Sequence, residues 1–170
     1  DDHFPEGFYY TKGYPTIFHP APTPWGLPLR CMLSKNIENL CFAGRNISVT
    51  HLGMASSRVM ATCGVCGQAV GTAVALMTKL GLDKPRSVNE HIKELQAMLM
   101  EDDCWLPHFT REMPELTKKA KLTAEYGDPS NLHNGLDRKV WGNDNGYWGM
   151  CDRPVTYTFD EKTYVDSFRL

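Results

Sequence analysis

Gly44, Arg45, His51, Ser57, Arg58, Val59 and Met60 lie in one stretch, Asn39 to Leu76, reading NLCFAGRNISVTHLGMASSRVMATCGVCGQAVGTAVAL. It joins an apolar strand, a tight polar turn and a long helix lined with small residues. Such a unit brings a helix N-terminus up to a bound group. Backbone N–H groups there are unpaired and carry the positive pole of the helix dipole, so they suit an anion or an electron-rich heteroatom. His51 is the only histidine in the stretch and exchanges a proton near neutral pH, so it is a candidate acid or base as well as a candidate structural group. Arg45 offers a cation for a phosphate oxygen, a partner carboxylate or a structural salt bridge. Ser56, Ser57 and the Arg58 side chain face the same space, one serine as a simple cap.

The elements that must position these residues are legible in outline. Asn39 to Gly44 reads as a short buried strand, apolar at Leu40, Phe42 and Ala43. Arg45 to Ala55 reads as turn and loop. Ser56 or Ser57 then caps a helix running to about Leu80, with Gly81 as its C′ residue and Pro85 barring continuation. Cys63, Gly67, Gly71 and Ala75 recur every four residues, a face almost without bulk, suited either to tight packing on a sheet or to close approach by a cofactor. Ser87-Val88-Asn89-Glu90 has the form of a capping box opening a second helix to about Met100, with Ile92, Leu95, Met98 and Leu99 as its apolar stripe.

Composition narrows the function classes. The chain has 170 residues, 42% of them hydrophobic, enough for a core, and a net charge of −2 with scattered Lys and Arg, so neither nucleic acid nor a membrane surface is expected as partner. The richest apolar run, Ala69 to Met77, falls short of the roughly 20 residues of a membrane span. No signal-peptide pattern opens the chain. Location stays open, with the cytoplasm favoured. The six cysteines are read as buried thiols, with one disulfide or a redox pair at Cys63 and Cys66 as alternatives; the C-x₂-C has no partner pair for zinc, and no metal is expected. Asn46-Ile47-Ser48 fits a glycosylation sequon that carries little weight inside such a loop.

The string resembles the C-terminal flavin-contacting segment of bacterial FAD-dependent oxidoreductases, whose signature runs AGRxIS, then H, then S/T-R-V-M-x-T-C, then GQA-x-G. The likeness is closest from Pro24 to Leu80. It implies FAD as cofactor, with the backbone N–H groups of Arg58, Val59 and Met60 at the N1–C2=O2 edge of the isoalloxazine and Gly44 against the ribityl or pyrophosphate group. Arg45 stands where many such flavoproteins carry Glu or Asp. It also implies a small-molecule substrate giving hydride to flavin N5, with His51 as the candidate catalytic group.

The implied fold is a fragment of α/β or α+β class: the closing strand and long helix of a Rossmann-like FAD-binding domain, with a piece of substrate-domain sheet. No G-x-G-x-x-G occurs in the chain, and Gly64, Gly67 and Gly71 lie inside a helix, so the N-terminal half of the FAD domain is expected to be missing and the isolated chain inactive. The expected layout is a proline-rich substrate-domain segment at 1–38, the FAD-domain part at 39–103, a linker at 104–115 and a truncated β-sandwich at 116–170 that faintly resembles discoidin-like modules. The alternative is a non-enzymatic carbohydrate-binding or scaffold module, with Trp141, Tyr147 and Trp148 stacking on a sugar or simply packing a core.

Overall fold

The computed structural model describes residues 24–139 and 142–168. Most of the proline-rich segment assigned to a substrate domain, and Trp141, lie outside these residues. The chain divides into two compact units, one through Pro107 and one from His108. The described residues hold four α-helices and one two-stranded antiparallel sheet.

In the first unit α1 spans His51–Ser57, α2 Met60–Lys79 and α3 Ile92–Glu101, with 3-10 turns at Leu29–Met32 and Pro85–His91. The long helix expected from Ser56 or Ser57 is therefore preceded by a separate short one. Thr50 is the residue that caps: its Oγ1 accepts the Gly53 N–H at 3.2 Å. Ser57 sits in the last turn of α1, where its hydroxyl donates to the Gly53 carbonyl at 2.8 Å. Arg58 closes α1, and Val59, extended at φ −66° and ψ 138°, turns the chain into α2.

At its far end α2 stops as expected. Leu80 is the C-cap and Gly81 takes φ +65°, so that Leu82 N–H reaches Met77 O at 2.9 Å and Gly81 N–H reaches Thr78 O at 3.2 Å. This pair of bonds is the Schellman arrangement, which satisfies carbonyls that the helix cannot. The second helix differs from its sequence signature. Residues Pro85–His91 coil as a 3-10 turn, because Pro85 takes the first position, and Ser87 makes no cap; the α-helix starts only at Ile92. Its stripe packs as the spacing requires, with Leu95 and Leu99 buried and Ile92 and Met98 against the same core.

The expected strand Asn39 to Gly44 is reduced to one antiparallel bridge, Leu33 with Cys41, flanked by Phe42 N–H to Met32 O at 2.7 Å and Ser34 N–H to Leu40 O at 3.0 Å. A strand needs partners on its edges to extend, and the Leu29–Met32 turn leaves only this short contact.

The core of the unit gathers Met32, Ile47, Cys66, Leu76, Val88 and Leu95. One face of α2, carrying Cys66, Ala73 and Leu76, packs inward, while Gly64, Gly67, Gly71, Val65 and Val74 face outward. A Cβ built on any of the three glycines would meet nothing within 4 Å. The close approach inferred from these glycines is thus not made by any described residue. By length and composition alone α2 is apolar enough to cross a membrane, contrary to the reading of Ala69 to Met77. A helix apolar on most sides belongs to a bilayer or to the centre of a larger domain.

In the second unit α4 spans Glu115–Lys119, where alternation had suggested strand; Pro114 at its N-cap and the Glu115–Lys118 ion pair of 2.7 Å favour the helical turn. Strand β1, Lys121–Ala124, pairs antiparallel with β2, Val155–Thr158. The rest is held by turns. Asp128 caps a 3-10 turn at Pro129–His133, and Gly135 at φ +72° lies so close to the Arg111 carbonyl that a Cβ would stand 2.3 Å from it. The described residues form one ribbon and no sandwich.

Packing and openness on α2 give opposite expectations for two substitutions. Leu76, wholly buried, should lose about 2–5 kcal/mol of stability as Leu76→Ala. Gly67→Ala should gain up to about 1 kcal/mol by helix propensity, since its site is open. Urea titration of the two variants against wild type measures both.

Candidate functional site

The α1–α2 junction and the Gly44 loop form the candidate site. Gly44 turns at φ +95°, a left-handed conformation that L side chains seldom adopt, and a Cβ there would meet only Asn46 Oδ1, at 3.9 Å. Next to it, Arg45 Nε donates to the Arg58 carbonyl at 3.2 Å. Neither a phosphate nor a carboxylate is needed to explain Arg45: it neutralises the negative end of α1.

Ser57 is 1% exposed and sealed inside, with its hydroxyl on Gly53 and its carbonyl accepting from the Cys63 sulfur at 3.6 Å. It supports the junction and does not present its hydroxyl to solvent. The Arg58 N–H donates to Met54 O at 3.2 Å, so it closes α1 and is not one of the open donors. The open donors begin one residue later. Val59 carries no capping side chain, and its carbonyl accepts the Cys63 N–H at 2.9 Å as the first bond of α2. The amides at the head of an α-helix, here Val59, Met60, Ala61 and Thr62, have no intrahelical acceptor. Val59 is 51% and Met60 82% exposed, so this end faces outward.

His51 occupies the first position of α1 and is exposed. Six residues separate it from Ser57, about 9 Å along the axis. The structure therefore brings Gly44, Arg45, Ser57 and Arg58 together around the junction, sets Val59 and Met60 at its open mouth, and leaves His51 at the other end of α1. The short helix α1 itself escaped sequence reading, although Thr50 as a cap residue, with Val49 and Met54 at staple spacing, is a start signal.

The cysteines are all free thiols. Burial pushes Cys66 up from its ordinary value, with neighbouring Cys63 adding to the effect; burial, then Cys66, does the same at Cys104, and burial alone at Cys41. A redox dithiol needs a thiolate favoured by its surroundings, and Cys66 has the reverse. Among the described residues no His, Cys, Asp and Glu group could hold a metal ion.

A family model described as FAD dependent oxidoreductase matches residues 1–99. The chain belongs to this family. The match takes in the whole α1–α2 junction and ends inside α3, and a mixed fold of helices with little strand fits a Rossmann-like piece of an FAD oxidoreductase. FAD is the cofactor that this membership implies. Comparison with curated proteins and with solved structures gives no match.

The thiol environments predict an order of labelling. Cys151, exposed, should react with iodoacetamide at pH 7.5, while Cys66 and Cys104 stay unmodified until the unit unfolds. The raised folded values stabilise the protein below the unfolded thiol value of about 8.5, and this contribution is lost as pH rises through the folded values. Mass spectrometry of peptides labelled along a pH series checks both statements.

Proposed function

We propose that this chain contributes the flavin-contacting helix end of an FAD-dependent oxidoreductase, with the amides of Val59, Met60, Ala61 and Thr62 directed at the N1–C2=O2 edge of the isoalloxazine. One observation carries the reading: within the family-matched region, a 20-residue helix begins without a capping side chain and with its first residues exposed. An uncapped end forgoes about 1 kcal/mol of stabilisation, which a ligand with electron-rich atoms restores. Gly44, at positive φ and with only Asn46 Oδ1, at 3.9 Å, near where a Cβ would stand, suits the close passage of a ribityl chain.

When bound, FAD supplies a two-electron acceptor at N5 for hydride from a small-molecule substrate. The protein's part is electrostatic. The helix end holds positive potential where the reduced ring carries negative charge, Arg45 fixes the junction through the Arg58 carbonyl, and Ser57 fills the space beneath it. Arg58 acts through its carbonyl and side chain, since its N–H is already engaged. His51 is retained as a candidate for substrate protonation only where the substrate extends along α1.

Two features support the view that this is part of a larger flavin domain. The sequence holds no G-x-G-x-x-G turn for the pyrophosphate, and the open apolar face of α2 has the small-residue surface that a parallel sheet would cover. On this reading the isolated chain retains FAD poorly and has no turnover. A second reading, a carbohydrate-binding module, is supported by Trp148, which is 77% exposed and fixed edge-on by its indole N–H to Asp144 Oδ2 at 2.7 Å. It concerns the second unit alone.

The test is Met60→Pro in the flavoprotein that carries this segment. Proline at the first helical position keeps the helix and removes one amide donor. FAD affinity should fall about fivefold to tenfold, equivalent to about 1–1.4 kcal/mol, and the flavin potential should become more negative. Unchanged affinity and potential, with unchanged helix content, would reject the contact. Retention on polysaccharide of protein without any flavin absorbance would favour the second reading.

A further inference from the structure

We propose that the cleft in front of the Leu33–Cys41 bridge binds a phosphate-bearing small molecule, at a site separate from the flavin contact. The cleft has a volume of about 400 Å³ and is walled by Arg30, Lys35, Arg86, Ser34, Asn46 and Ser48, with Phe42 in its lining. That size lies in the range of small-molecule sites. Three cations and no carboxylate line it, in a chain whose net charge is −2. Such local concentration of one sign attracts anions even where the whole surface does not.

The donors are held by backbone. Ser48 N–H is bonded to Cys31 O at 2.8 Å and Phe42 N–H to Met32 O at 2.7 Å, so the two walls are fastened to each other. Arg86 reaches across 52 positions of sequence to place Nη2 2.6 Å from the Ser34 carbonyl. A guanidinium has five N–H donors, and this bond leaves its charge and its remaining donors available. Ser34 Oγ accepts the Ile37 N–H at 3.0 Å, which leaves the hydroxyl proton to be donated. The set therefore consists of two forks, an ammonium and neutral donors arranged around one space. A monocarboxylate offers two oxygens and a single charge; a phosphate dianion offers three strong acceptors and matches more of the cationic lining.

Inorganic phosphate is the probe, titrated into the whole chain by calorimetry and by ³¹P line broadening. Binding should weaken about tenfold in Arg30→Gln and about tenfold in Lys35→Gln, the loss of one charge-assisted contact each, and should fall steeply with added salt. Both side chains are exposed, so circular dichroism should show the fold unchanged. Affinity unchanged from wild type in both variants would overturn the site. Tighter binding of succinate than of phosphate would overturn the ligand class. In the flavoprotein that carries this segment, phosphate binding abolished by saturating FAD would assign the cleft to the cofactor and reject a separate site, whereas phosphate binding by that flavoprotein without any FAD binding would leave this site standing and remove the flavin reading.

Discussion

The local structure depends on one break in the helical chain, the single extended residue Val59 between two helices. Because Val59 leaves helical geometry, the N–H of Arg58 still belongs to α1 while those that follow belong to the open head of α2. The break also frees the Arg58 carbonyl, which accepts from Arg45 Nε. A continuous helix through residues 57 to 60 would pair these amides with carbonyls one turn earlier and abolish the donor set. Ser57 makes the break tolerable: its hydroxyl bonds back to Gly53, and its carbonyl is met by the Cys63 sulfur, so few polar groups at the kink stay unsatisfied.

The same helix divides into a packed face and an open one. Cys66, Ala73 and Leu76 are spaced to meet the 3-10 turns and α3, and Leu76 is wholly excluded from water. The opposite face has glycine where a side chain would cost nothing to carry, since no described neighbour stands there. Three interior glycines lower helix stability by about 1 kcal/mol each relative to Ala. On the proposed reading, this loss is offset by a group or sheet that approaches the helix backbone in the complete flavin domain.

Much of this was legible in the residues. The C-terminus of α2 could be read because Gly81 and Pro85 are strong punctuation with a local mechanism, and the stripe of α3 because Leu95 and Leu99 repeat at helical period. The start of α2 was not, since nothing in Ser56-Ser57-Arg58-Val59 breaks a helix by itself; two serines offered an attractive cap, whereas Thr50 caps the separate helix α1 and α2 starts at Val59 with no capping side chain. The box at Ser87 failed because Pro85 imposed a tighter coil than its cap pattern assumes. In the second unit, the alternation in LTKKAKLTAEY blurred a boundary at Ala120 between a helical turn and β1. The basic cleft joins Arg30 and Lys35 to Arg86 from a segment some fifty positions away, so no local pattern could have announced it.

Magnitudes decide what the open helix end can do. An exposed helix terminus is worth about 0.3–1 kcal/mol to a neighbouring charge, and up to about 2 when partly buried. With Val59 and Met60 exposed, the end in this conformation lies at the weaker limit. A planar apolar ring seated on those side chains would remove water from the same amides that face its polar edge, moving the interaction toward the stronger limit. On the proposed reading the apolar exposure and the unpaired donors act as one device. Side chains that make the mouth greasy raise the effect of the backbone beneath them, and neither alone would shift the electron affinity of a bound ring by much.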